Sequence, residues 1–319
     1  MKYKKLRYNV IIFGLVAIIG CCVAFPLITG SSKNDINQGA IDDPSIVEPE
    51  IPDEPVEPSD PEDPEDSEDG DEEEESFEYY NDYDLINYSV NMLYNGKGYS
   101  STISQTCLNT AGIGGITLTV PQYSKGRIVR SGNVSLQEEY LWSTYKGIKD
   151  DQCKNYYTFY YIDKNNDKFI EGNTKDYDPN KMTHNSSSIS TINMTYSEGM
   201  NKWMVMYGDA FPLKTTKGTT TQVYHSDKKG YRTIEVNYNV DKVPSKVKQF
   251  FGATGQMTKI NYLSLKVVYK INLKTGKMYS ITRTEKLTAI AAGCADETTA
   301  VTTQVFRSVD KEQDIKLPF

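Results

Sequence analysis

The sequence predicts an α+β fold: one large antiparallel sheet of about ten or eleven strands packed on roughly two or three helices. Three observations lead there. From Leu263 through Leu265, Val267, Tyr269, Ile271 and Leu273 every odd position is apolar, while Ser264, Lys266, Lys270 and Asn272 between them are polar. That alternation marks a long strand with one buried and one wet face. The 24 tyrosines fall in short runs parted by Gly, Asn, Asp and Lys, as half-buried sheet faces require. A single apolar stripe after Asp82, formed by Leu85, Ile86, Met92 and Leu93, describes a helix that needs a sheet to lie on.

Residues 1–9 carry Lys2, Lys4, Lys5 and Arg7, and residues 10–28 carry no charge. At ~1.5 Å per residue the uncharged run is about 29 Å long, the thickness of a bilayer core. Positive charge before it predicts a single-pass signal anchor, with residues 1–9 in the cytoplasm and the C-terminal domain extracellular. An alternative is a lipoprotein signal, because Ile18-Ile19-Gly20-Cys21 has the form of a lipobox with Cys21 as the acylated residue. Cys22-Val23-Ala24-Phe25 continues apolar, which favours the anchor, and the absence of an Ala-x-Ala site disfavours a cleaved, secreted product. Both readings hold the rest of the chain at the outer side of the cell membrane.

Residues 29–76 read as a disordered, acidic, Pro-rich stalk. Within them, residues 41–76 hold nineteen Asp or Glu and seven Pro but no Lys or Arg. Like charges repel, and too little apolar surface is present to offset ordering entropy. The bland role is a spacer. The whole chain carries −8, yet residues 77–319 alone carry +7, so the acidic balance belongs to the stalk. A mildly cationic domain is drawn to anionic headgroups, to an anionic cell-wall polymer or to its own stalk. Its charges are dispersed, which speaks against nucleic acid.

Residues 77–319 form the folded domain. Asp82 is placed to cap the first helix and Asn95-Gly96 to stop it. Strands follow at 116–120, 136–145, 156–162, 189–196, 203–207, 221–225 and 231–240. A short helix starts at Pro244, shows Val247, Phe250 and Phe251 on one face and ends at Gly252. Lys274-Thr275-Gly276-Lys277 turns the chain, with Gly276 free to take a positive φ. Strands at 278–290 and 298–306 complete a meander.

Motifs of catalysis are missing. The two histidines, His184 and His225, belong to no Gly-x-Ser-x-Gly, His-Glu-x-x-His or phosphate-loop pattern. The reading is a non-enzyme without cofactor or metal. Asp163-Lys164-Asn165-Asn166-Asp167 opens like a calcium loop, but Lys168 stands where glycine is required and Thr174 where the closing Glu belongs, so a polar hairpin turn is the simpler reading. Ala111-Gly112-Ile113-Gly114-Gly115 reads as a flexible loop. Cys107, Cys153 and Cys294 allow one disulfide outside the membrane, and the pairing stays open. Arg283 and Glu285 share a strand face with Tyr279, Ile281 and Leu287. If that face is covered they form a neutralising pair or recognise a ligand headgroup.

The C-terminal strands Lys266-Val267-Val268-Tyr269-Lys270-Ile271-Asn272-Leu273, the run Thr298-Thr299-Ala300-Val301-Thr302-Thr303 and the ending Ile315-Lys316-Leu317-Pro318, behind an N-terminal helix, resemble the lipoprotein-carrier (LolA/LppX-like) superfamily. The resemblance covers residues 80–319 and implies an unclosed antiparallel half-barrel wrapped over helices around an apolar cavity. It implies a lipid or other amphiphile as ligand, held by Leu265, Val267, Tyr269, Ile271, Tyr279 and Ile281, with Arg283 and Glu285 at its polar end. A tethered domain cannot shuttle between membranes, so the implied role is local holding or sensing. The alternative is a bacterial cell-envelope interaction protein with a filled core and no small ligand.

Overall fold

The computed structural model describes residue 77 and residues 80–113, 116–143, 156–203, 215–242, 257–291 and 294–319. Helix α1 (Asp82–Asn95) leads into β1 (Gly98–Ile113), β2 (Ile116–Ser131), β3 (Val134–Ser143), β4 (Tyr156–Asp163) and β5 (Lys168–Thr174). A ribbon of β6 (Tyr177–Asp178) and β7 (Thr183–His184) precedes β8 (Ser190–Met194) and helix α2 (Tyr196–Trp203). The rest is β9 (Thr220–Lys228), β10 (Tyr231–Tyr238), β11 (Met257–Asn272), β12 (Met278–Ala291) and β13 (Cys294–Arg307). Eleven strands make one sheet in the order β8-β5-β4-β3-β2-β1-β13-β12-β11-β10-β9, and every described pairing is antiparallel.

This overturns the α+β class. The described fold is mostly β, with two helices of 14 and 8 residues against the eleven-stranded sheet. Part of the reason is that β1 and β5 are strands where no strand is expected. Gly98–Ile113 is rich in Ser, Thr and Gln on both faces, so it lacks the alternation that marks a strand in sequence. The expected helix at 244–252 and most of the expected strand at 203–207 lie outside the described residues, as do residues 1–76; Trp203 itself ends α2. No helix among the described residues is long and apolar enough to cross a membrane.

Pro121 does not end β2, which runs on to Ser131. Strand β3 pairs with β2 only from Gln122 onward, so the proline sits where the described ladder on that side has stopped. The cap of α1 is Asn81 rather than Asp82: its side-chain oxygen accepts from the Asp84 N–H at 3.1 Å. At the other end Arg130 donates to the carbonyls of Leu93 and Tyr94 at 3.2 and 2.6 Å, placing a cation at the helix C-terminus.

The face on which α1 lies is the inner face. Leu85, Ile86, Val90 and Leu93 join Ile234, Val236, Leu265, Val267, Tyr269, Ile271 and Ile281 in one buried cluster. Gly276 turns β11 into β12 with φ +65°, and a Cβ there would meet the rings of Tyr88 and Phe77 at 2.7 and 3.0 Å. Its carbonyl accepts from Ser89 Oγ at 2.5 Å, tying the hairpin to the helix. On the opposite face of β3–β5, Leu136, Tyr140, Tyr157, Phe159 and Ile170 form a second cluster covered by Tyr177, Ile189, Ile315 and Leu317.

The helix therefore carries the inner core. Leu85→Ala, at a fully buried position, is expected to lower the unfolding free energy by about 2–5 kcal/mol in urea titration. Leu263→Ala, 45% exposed, should stay within about 0.5 kcal/mol of the parent.

Candidate functional site

Register sets Leu265 opposite Glu285, Val267 opposite Arg283 and Tyr269 opposite Ile281 on the inner face of β11 and β12. Leu265, Val267, Tyr269, Ile271 and Ile281 are each at most 3% exposed and pack under α1. The structure thus gathers five of the six expected apolar cavity residues. Tyr279 is not among them. A register shift at Lys270/Ile271 pairs Ile271 with Met278, which turns Met278 inward and Tyr279 outward. There Tyr279 meets Tyr231 at 5.3 Å and the ammonium of Lys270 at 4.7 Å. A second shift between Tyr262 and Ser264 buries Tyr262 and exposes Leu263 in the same way.

Arg283 and Glu285 form a buried ion pair, Nε to Oε2, at 2.9 Å. The Tyr262 hydroxyl donates to Glu285 Oε1 at 3.1 Å, and burial beside that carboxylate pushes the Tyr262 phenol up. Above them, Tyr269 and Tyr238 share a hydroxyl contact of 2.8 Å and Tyr238 meets Thr215 at 2.6 Å. The hydroxyls of Tyr262, Tyr269, Tyr238 and Thr215 thereby find partners beneath the helix, as a dry interior demands.

Towards β13, β1, β2 and β3 the inner face turns polar. Gln105 donates to Thr302, Gln304 to Ser101 and Thr298 to Asn109, at 2.9, 2.9 and 3.0 Å. The amide nitrogens of Asn109 and Gln137 are buried with no hydrogen-bond partner. Burial raises the Glu139 carboxyl above its usual range, partly offset by a hydrogen bond with Ser124. Cys107 lies opposite Ala300. Six residues along β13, about 20 Å at ~3.4 Å per residue, lies Cys294. A Cys107–Cys294 bridge is therefore ruled out, since linked cysteines keep their Cα atoms within about 7 Å. Cys153 and Cys21 lie outside the described residues.

Neither histidine approaches a nucleophile in the described contacts. His225 Nδ1 meets Asp82 at 2.8 Å, beside Arg232, which grips Asp227 through two contacts of 2.8 Å. His184 lies in β7, its ring stacked on Tyr157 at 3.9 Å. Its Nε2 bonds the Pro318 carbonyl at 3.1 Å, and Nδ1 meets the Tyr140 hydroxyl at 3.0 Å. Because a carbonyl only accepts, Nε2 donates to Pro318. Asp163 accepts from the backbone N–H groups of Asn165 and Asn166 at 3.1 and 3.2 Å in a β4–β5 hairpin turn.

The His184 contacts wall a cleft of ≈ 480 Å³ on the outer face, lined by Arg127, Glu138, Tyr140, Met182, Thr183, His184, Ser186 and Pro318. Glu138 is buried at its floor. It engages Arg127 Nε and accepts from the Tyr157 hydroxyl at 2.7 Å. Burial and the Glu138 charge push the Tyr140 phenol up to about 12. Sequence reasoning missed this site. Alternation alone puts Tyr123, Lys125 and Arg127 on one face of a strand, but only the register reveals Trp142, Tyr140 and Glu138 opposite them.

No protein-family profile and no curated protein matches the chain. Among solved structures, Ail, the attachment invasion locus protein of Yersinia pestis, crystallised with the heparin analogue sucrose octasulfate, is similar at 6% identity and TM-score 0.20, over 66% of this chain and 99% of that one. A LolA superfamily protein of Nitrosomonas europaea matches at 9% identity and TM-score 0.19, over 73% and 94%. An outer membrane lipoprotein-sorting protein domain of Vibrio parahaemolyticus matches at 10% and 0.24, over 70% and 92%. The last two are of the group that the C-terminal strands resemble; none of the three carries the functional argument below.

Two outcomes follow from the buried charges. Glu285→Ala should cost about 3–5 kcal/mol by stranding Arg283, whereas pairing Arg283→Met with Glu285→Leu should recover most of that loss. A carboxyl whose folded pKa is raised contributes stability that is complete below its unfolded value near 4.5 and lost as pH rises through the folded value. Glu139→Gln should therefore unfold at higher urea than the parent at about pH 7, with the gap closing by about pH 4.

Proposed function

We propose that this protein is a non-catalytic binding module of the bacterial cell envelope, tethered through residues 10–28, spaced by residues 29–76 and acting outside the cell through the surface of its sheet. The observation that carries this reading is the packing of Leu265, Val267, Tyr269, Ile271 and Ile281 against α1, each at most 3% exposed. Side chains so placed act as the core that holds the sheet to its helix, and they would have to part from Leu85 and Ile86 to admit an acyl chain. The charge of the domain, +7 over residues 77–319, favours anionic envelope components as partners.

A second reading, an amphiphile held on the inner face, is favoured by the unpartnered amide nitrogens of Asn109 and Gln137. Buried donors of that kind suit an acceptor-bearing headgroup.

Solvent extraction of the full chain, purified in a detergent of distinct mass, separates the two. Mass spectrometry should find no stoichiometric native lipid, and the protein should sediment with isolated envelope at low salt and be released as salt rises. One lipid per chain, or no retention at low salt, would overturn the surface reading.

A further inference from the structure

The outer face of β2 and β3 carries a strip that the core does not use. Tyr123 and Trp142 stack across the strand pair at 5.8 Å with planes 24° apart, and both are half-buried. Two residues on, Lys125 is exposed opposite Tyr140; two further, Arg127 lies opposite Glu138. Successive positions on one face are separated by about 7 Å, so an aromatic ledge, a cation and a second cation follow one another in a line. Glu138 engages Arg127 through Nε, and the Arg127 side chain remains 54% exposed. The line runs into the cleft of ≈ 480 Å³ that Arg127 and Tyr140 line together with Thr183 and Ser186.

We propose that this strip binds an anionic glycan. Resting on the surface reading above, the proposal names both the ligand class and the place. Each part answers one property of such a polymer. The flat apolar ledge suits the C–H face of a sugar ring, where an amphipathic aromatic gains contact area with little entropy loss. The half-exposed guanidinium and the ammonium of Lys125 suit carboxylate or phosphate groups. The Arg127 and Glu138 charges offset one another, and the Tyr157 hydroxyl donates to Glu138 as well, so the net positive charge of the strip is that of Lys125, with the exposed part of the guanidinium left as a donor. The cleft has the size of a small-molecule site and offers hydroxyl partners to a terminal sugar. Charge complementarity extends beyond the strip, because residues 77–319 carry +7.

The test is calorimetric titration of the full chain in detergent micelles with polygalacturonate, poly(glycerol phosphate) and neutral dextran. Either anionic polymer should bind at least about tenfold more tightly than dextran, and the one preferred identifies carboxylate or phosphate as the group read. Lys125→Glu, at an exposed site that does not threaten folding, and Trp142→Ala, checked by an unchanged melting temperature, should each weaken binding by about tenfold, near 1.4 kcal/mol. Lys266→Glu, on β11 outside the strip, should change it by less than about twofold. Equal binding of dextran, equal loss in Lys266→Glu, or unchanged binding in both strip variants would overturn the proposal. Retention of the parent on envelope alongside unaffected strip variants would refute the strip and leave the surface reading standing. Loss of retention by the parent would refute that reading itself.

Discussion

The contact between α1 and the inner face of β10 to β12 governs the architecture. A sheet of this width presents an apolar surface that water cannot cover, and a single 14-residue helix supplies the cover over its apolar half. Leu85, Ile86, Val90 and Leu93 do so along one stripe, and polar contacts fix where that stripe lands. Ser89 donates to the Gly276 carbonyl, Arg130 holds the last turn, and Arg232 reaches back to the Tyr80 carbonyl at 2.9 Å. These bonds add modest net stability each, but they forbid the helix from sliding along a greasy face that would otherwise accept several positions. Placement of the helix decides in turn which side chains become core and which remain free to meet a partner.

Among the described residues the sheet does not close, so its margins need separate protection. Strand β8 at one margin has five residues and is followed at once by α2, which lays Gly199 against the Phe169 ring. Strand β9 at the other is mostly exposed but ends in His225, Ser226, Asp227 and Lys228, charged or polar groups that discourage pairing with a second sheet. Arg232 binds Asp227 from the neighbouring strand, which pulls that margin towards the helix. A short strand at one side and charge at the other are the usual devices for an open sheet that must stay unpaired near other surfaces.

Where the sequence is legible, one face is apolar and the other wet. Strands β10 to β12 meet that condition, as does the stripe of α1, and their approximate positions follow from alternation and from Gly276. Strand β1 fails it: its inner face carries Ser101, Gln105 and Asn109, and its outer face Thr102, Ser104 and Thr106, so both faces look like loop. Proline at 121 disguises β2 for a different reason, since a missing donor matters only where a neighbour is present to accept from it. Two of the three register shifts between β11 and β12 change what periodicity predicts: one turns Tyr279 of the expected site outward, and the other brings in Tyr262, a residue outside that expectation. The outer strip was hidden more deeply. Its members come from two strands, and nothing in either strand alone says that Tyr123 will face Trp142.

That pattern bears on why the two halves of the inner face differ. Under α1 the strands could be apolar because a helix was there to seal them; beyond it, β13, β1 and β2 present amides and hydroxyls that satisfy one another across strands, Gln105 with Thr302 and Gln304 with Ser101. A side-chain ladder of this kind holds register where hydrophobic contrast cannot, because a slip of one residue would leave every amide buried without its partner. The polar half leaves the amide nitrogens of Asn109 and Gln137 outside this ladder. It also contributes little of the apolar surface on which stability rests, so the sheet depends on α1 for one half and on the Tyr140, Tyr157 and Phe159 cluster for the other. The strip of Tyr123, Lys125 and Arg127 borders that second cluster, where Arg127 and Tyr157 meet on Glu138. The core thus fixes the floor on which the exposed cations stand.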